Sequence, residues 1–126
     1  MGYILRNTID KKHKLIKGLV YNIPCSECNV VYIGETARTL EARIDEHKGG
    51  LDHRKPISKL IGHALDYDHM PSWNETNIIH KNCNNWGERT LLEAIETKKN
   101  PHAINTSRHV PEIYAKLLKF HRKDLI

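Results

Sequence analysis

Gly18-Leu19-Val20-Tyr21-Asn22-Ile23-Pro24-Cys25-Ser26-Glu27-Cys28-Asn29-Val30-Val31-Tyr32-Ile33-Gly34 sets two runs of β-branched and aromatic residues around a polar connection bounded by cysteines. That pattern predicts a β-hairpin. Downstream, Thr36 or Thr39 can cap a helix running to about Lys48, with Leu40, Ile44 and His47 on one face and Gly49-Gly50 ending it. A second helix is predicted to begin at Pro56, because Ile57, Leu60, Ile61, Ala64 and Leu65 recur at helical spacing. Tyr67 to Trp73 reads as a loop and Asn77-Ile78-Ile79-His80 as a third strand. Trp86 to Lys98 reads as a third helix, stopped by Asn100-Pro101. A last short helix is expected from about Pro111 to Phe120. This order predicts an α+β domain, a small sheet covered by helices.

The 126 residues, 39% hydrophobic and 28% charged, suffice for one modest core. No apolar run approaches the length needed to cross a bilayer and the first residues carry no secretory apolar region, so a membrane or exported protein is not expected. Three cysteines, an odd number, argue against a disulfide scaffold and for a reducing compartment, cytosol or nucleus. The formal charge of +5 is unevenly spread: five Lys/Arg against one Asp in residues 1–17, eight basic against twelve acidic in 18–97, and seven against two in 98–126. Lys11-Lys12-His13-Lys14 at one end and Lys116, Lys119, Arg122 and Lys123 at the other suit phosphates, and equally suit solvated tails.

Two constellations carry chemistry. Cys25-x-x-Cys28 with His63 and His69 supplies four ligands of the types zinc prefers; the alternative is two inert cysteines with surface histidines. A redox pair fits less well, because the two cysteines lie between strands and not at a helix N-terminus. Cys83 is expected as an unpaired surface-loop residue in the polar run Lys81 to Asn85. In the second constellation Tyr21 and Tyr32 sit in the two arms of the hairpin, and Arg43 and His47 share a helix face with Leu40 and Ile44. An arginine packed against the core there needs an anionic partner, a phosphate or a carboxylate such as Asp45 or Glu46; the alternative is that it snorkels outward. On the residues alone the tyrosines read as ordinary strand aromatics. Glu88, Glu93 and Glu96 are equally available as metal ligands, and His53 and His80 carry no assignment.

Leu19-Val20-Tyr21 followed by Tyr32-Ile33-Gly34-Glu35-Thr36, then Arg43 and His47, resembles the GIY-YIG nuclease domain, with Leu19 and Val20 in place of the Gly and Ile of the name motif. The cysteines between the two halves, with His63, His69 and Trp73 beyond, resemble the endonuclease domain of Penelope-like retroelement reverse transcriptases. Arg89-Thr90-Leu91-Leu92-Glu93-Ala94 resembles that family's metal-binding helix, and Asn105 its closing Asn. The similarity spans residues 17 to 106, leaving 1 to 16 and 107 to 126 as basic flanks.

The resemblance implies a mainly antiparallel three-stranded sheet flanked by helices, with an embedded structural Cys2His2 zinc site formed by Cys25, Cys28, His63 and His69. It also implies a DNA endonuclease in which Glu93 holds Mg2+ or Mn2+ and Arg43 clamps the phosphate. Tyr21 is then the general base, Tyr32 orients water or phosphate, His47 transfers protons or supports the reacting groups from behind, and Asn105 completes the catalytic set. As part of a retroelement the enzyme would act in the nucleus, joined to a reverse transcriptase domain, and nick target DNA to prime reverse transcription. The alternatives are a zinc-stabilised nucleic-acid-binding module without cleavage and a repair or junction nuclease of the same fold.

Overall fold

The predicted hairpin forms in the computed structural model, which describes residues 16–105. Strands β1 (Leu19–Pro24) and β2 (Val31–Thr36) pair antiparallel, with Tyr21 opposite Gly34 and Ile23 opposite Tyr32. β3 (Asn77–His80) joins the other edge of β1, also antiparallel, so the sheet order is β2-β1-β3. Side chains alternate between the two faces of a strand, and here both faces are covered. Val20 and Ile33 point to the face where Leu92 and Ile95 of α3 (Trp86–Lys99) pack. Tyr21, Ile23 and Tyr32 point to the other face, against Leu40 and Leu51 of α1 (Leu40–Asp52) and Leu60 and Ile61 of α2 (Lys59–Tyr67). Among the described residues this is the α+β arrangement expected, a three-stranded antiparallel sheet flanked by three helices.

Two predicted boundaries are corrected. Gly49-Gly50 do not end α1, which continues to Asp52. Gly50 is there to be approached: a Cβ on it would lie 2.8 Å from Ile57 Cγ1, and its carbonyl accepts from Lys55 N at 2.8 Å. The chain reverses instead at Arg54, whose φ is +54°. α2 begins at Lys59 rather than Pro56, because Ser58 is the N-cap and accepts from Ile61 N at 3.3 Å. Pro56 and Ile57 belong to the connection. A 3-10 turn, Trp73–Glu75, starts at the last residue of the expected loop and runs past it.

Cys83 is also corrected, since it is 4% exposed and packs with Val20, Ile33, Leu92 and Ile95. Gly18 makes this possible. Its φ is +70°, its carbonyl accepts from Cys83 N at 2.9 Å, and a Cβ at this position would sit 2.5 Å from the Cys83 carbonyl oxygen.

The outer edge of β2 is covered by residues 102–105. Val31 N donates to His102 O and Ile104 N to Val31 O, both at 2.9 Å, and Val31 bridges Ala103 in parallel. Among the described residues no helix is long and apolar enough to cross a membrane. The expected helix at Pro111 to Phe120 and most of the two basic flanks lie outside the described residues.

Candidate functional site

The pairing of Tyr21 with Gly34 brings two phenols together. A Cβ at Gly34 would lie 2.5 Å from both Cζ and Oη of Tyr21 and 2.8 Å from Tyr32 Cε2, so only a glycine leaves room for the rings. Over them lies α1, started by Thr39, whose side chain accepts from Ala42 N at 3.2 Å. Arg43 and His47, one turn apart, point to the same face of α1. Arg43 Nε donates to Tyr21 Oη at 3.3 Å, and its Nη1 donates to Glu46 Oε2 at 3.1 Å. Arg38 also pairs with Glu46. His47 is fully buried, with Nε2 2.9 Å from Tyr21 Oη and Nδ1 3.1 Å from Ser58 Oγ. Its ring meets that of Tyr32 edge-on at 5.5 Å.

Burial holds the Tyr21 phenol above its ordinary pKa; the neighbouring Tyr32 adds to this and Arg43 opposes it. Tyr32 is raised for the same first reason, again against Arg43. Burial, then the Arg43 charge, push His47 down to about 4, so its imidazole is neutral near pH 7. The Glu93 carboxylate of α3 acts on both phenols and raises both. Tyr21, Tyr32, Arg43, His47 and Glu93 are thus brought into one electrostatic cluster from four elements.

The three candidate glutamates separate. Glu96 accepts from His80 at 2.9 Å and also faces Lys99, Glu88 acts on the Cys83 thiol, and Glu93 faces the phenols. Asn105 is tied to β2 beside Tyr32. Its carboxamide is spent on the backbone of Ile33, accepting from the N–H at 3.0 Å and donating to the carbonyl. His53 is the C-cap of α1 and is exposed. Burial pushes the Cys83 thiol up, away from nucleophilic use.

Sequence reasoning left three residues without a role. Gly34 and Ser58 carried local signals, the first through its register opposite Tyr21 and the second as a serine just ahead of the apolar pair Leu60-Ile61. Arg89 is 5% exposed, and its Nε donates to Glu35 Oε2 at 2.8 Å and its Nη1 to Cys83 O at 3.0 Å. Glu35 is 54 positions away from it in the chain, so no local pattern reveals this pair, which ties α3, and hence Glu93 one turn on, to β2.

Cys25, Cys28, His63 and His69 converge at the far end of the hairpin, their ligand atoms all within 4.8 Å of one another. Cys25 Sγ lies 3.6 Å from His69 Nδ1, Cys28 Sγ 3.4 Å from His63 Nε2, and the two histidine nitrogens are 3.3 Å apart. A tetrahedral zinc with ordinary bond lengths has S···N edges of about 3.6 Å and N···N edges of about 3.3 Å, so these three separations suit such an ion. The segments that carry them are already joined: Ser26 N donates to Met70 O at 3.0 Å, Met70 N to Glu27 Oε2 at 2.8 Å, and Ser72 N to Pro24 O at 2.7 Å.

Compared with known protein families, residues 17–101 match the model of the GIY-YIG catalytic domain. No curated protein and no solved structure gives a significant match.

Proposed function

The chain belongs to the GIY-YIG catalytic domain family, a family of nucleases, and from that premise we propose that it is a metal-dependent DNA endonuclease whose reaction centre is Tyr21, Tyr32, Arg43, His47 and Glu93. The observation that carries this reading is the Tyr21 hydroxyl, buried and held between the Arg43 guanidinium and the neutral His47 imidazole. A phenol in that position is equipped to take a proton from an attacking water, because His47 Nε2 is an acceptor for its own. Arg43 sits beside both phenols, where its positive charge meets the charge that builds up on a phosphodiester under attack. Tyr32 orients the water or the phosphate.

Glu93 is the candidate ligand for Mg2+ or Mn2+. A single half-buried carboxylate suits an ion that completes its shell with water and substrate phosphate. When bound, such an ion neutralises charge on the phosphoryl oxygens and on the leaving oxygen. Cys25, Cys28, His63 and His69 are assigned to a structural Zn2+, since four protein ligands leave no open position. Asn105 acts by positioning β2.

The finer reading is that of a retroelement endonuclease. The zinc-ligand pattern within the hairpin and the His63, His69, Trp73 stretch support it, Trp73 packing on the Tyr21 cluster under Lys48, whose Nζ is 5.6 Å from its ring. On this reading residues 17–106 form the endonuclease core and the basic flanks contact DNA. The domain works in the nucleus with a reverse transcriptase domain, nicking target DNA to supply a primer end.

The test is cleavage of supercoiled plasmid with Mg2+ or Mn2+ by wild type, Glu93→Gln and Arg43→Ala at matched zinc content. Metal-dependent nicking is expected in the wild type, reduced on the order of 100-fold or more in each variant. Wild-type protein that binds DNA and never cuts it would establish the binding-module reading instead.

A further inference from the structure

Ser58 has two neighbours and an outlet. Its Oγ accepts from Ile61 N at 3.3 Å and lies 3.1 Å from His47 Nδ1, and the residue lines a solvent-open cavity of about 430 Å³ together with Pro56, Lys59, Gly62, His63 and Asp66. We propose that Ser58 is the exit of a proton path that runs from the Tyr21 phenol through His47 to this cavity, its Oγ accepting the imidazole Nδ1 proton. The proposal rests on the nuclease reading of Tyr21.

The direction of each hydrogen bond follows from the inventory of donors. Arg43 Nε can only donate, so it occupies a lone pair of Tyr21 Oη. A fully buried phenol must place its own proton on an acceptor, and the acceptor at hand is His47 Nε2, 2.9 Å away. His47 then carries its proton on Nδ1 and donates it to Ser58 Oγ. Both acceptor positions of that oxygen are filled, by His47 and by Ile61 N, which leaves the Ser58 O–H for water in the cavity.

The transfer balances atom by atom. As the attacking water gives a proton to Tyr21 Oη, the phenol proton passes to His47 Nε2, the Nδ1 proton passes to Ser58 Oγ, and the serine proton passes to cavity water. Three O–H or N–H bonds break within the path, three form, and the imidazole ends neutral. That suits a ring which burial keeps from holding a charge. Running the path backwards resets the tautomer, with the site-side proton leaving alongside product.

Two measurements on the full chain, loaded with zinc, test this. The first is the 15N NMR spectrum of histidine-labelled protein, with His47 identified by its loss in His47→Gln. Nδ1-protonated His47 is expected, and Nε2-protonated His47 would overturn the path whether or not the protein cuts DNA. The second compares Ser58→Asn with Ser58→Thr. Asparagine keeps the N-cap, but its amide does not take up one proton and release another as a hydroxyl does, whereas threonine keeps both functions. Ser58→Asn is expected to lower turnover about tenfold to 100-fold at unchanged DNA affinity and melting temperature, with Ser58→Thr restoring it. If the wild type cuts and Ser58→Asn cuts equally well, Ser58 is a cap and nothing more. If the wild type does not cut, the nuclease reading fails, and the tautomer measurement still decides the direction of the hydrogen bonds.

Discussion

Replacing Gly34 with alanine adds one methyl group, and the structure says where it goes. The new Cβ would be 2.5 Å from Tyr21 Cζ and Oη, where an ordinary contact begins near 3.4 Å, so the phenol must shift by nearly 1 Å. It has nowhere to retreat. Tyr21 is fully buried and its hydroxyl is held at 2.9 Å by His47 and at 3.3 Å by Arg43. Overpacking of this kind costs about 1–3 kcal/mol, and a displacement of about 1 Å at reacting groups costs about 100-fold in rate. In a domain of this size the stability loss lowers the melting temperature by about 5–20 °C. The control is Gly49→Ala, which meets nothing within 4 Å and sits inside α1; it should stabilise by about 0.5–1 kcal/mol and leave cleavage unchanged. The assay is single-turnover plasmid nicking well below the variant's melting temperature, paired with a circular-dichroism melt. Gly34→Ala cutting at close to the wild-type rate would refute the argument that Tyr21 must occupy this position.

Three further outcomes are expected. Chelation of the Cys2His2 ion, or Cys28→Ser, should lower the melting temperature, since an ion at a thousand times its Kd contributes about 4 kcal/mol; equal melts with and without chelator, at full zinc occupancy beforehand, would remove the structural assignment. His47 sits at about 4 in the folded protein against an ordinary 6.5, so between those values the unfolded chain binds a proton that the folded chain refuses. Its contribution is complete above pH 6.5 and declines as pH falls towards 4, by about 3 kcal/mol, and denaturant titrations should show this part of the acid sensitivity absent in His47→Gln. Asn105→Ala removes both side-chain bonds to Ile33 and should cost about 1–3 kcal/mol, with faster hydrogen exchange at the Ile33 amide. A 100-fold loss of cleavage without loss of stability would instead place Asn105 in the chemistry.

What was legible in the chain was whatever depends on neighbours in sequence. The hairpin follows from β-branched runs of period two, β3 from Asn77 to His80, and α3 from a run of apolar positions ended by Asn100-Pro101. The four metal-type ligands were recognisable by chemistry alone, although 35 positions separate Cys28 from His63 and 44 separate Cys25 from His69. Gly49-Gly50 misled because a glycine inside a helix and one beyond its end look alike until the partner, here Ile57, is known. Pro56 misled because a proline suits a first turn, while Ser58 offered the side-chain acceptor that decides where the turn starts. Glu35 with Arg89 and the burial of Cys83 depend on tertiary closure, which local patterning does not encode.

β1 is fastened at both ends, by Gly18 against Ala37 and Cys83 at its start and by the cysteine turn against Met70 to Ser72 at its finish. Those fastenings act as an index mark. Because side chains alternate, a slide of one residue would carry Tyr21 round to the α3 side of the sheet and put Val20 or Asn22 where the phenol belongs. Activity therefore has no intermediate setting along this strand. A protein that loses its metal ion, and with it one of the two marks, should stop cutting through misaligned strands while much of its helix content is still in place.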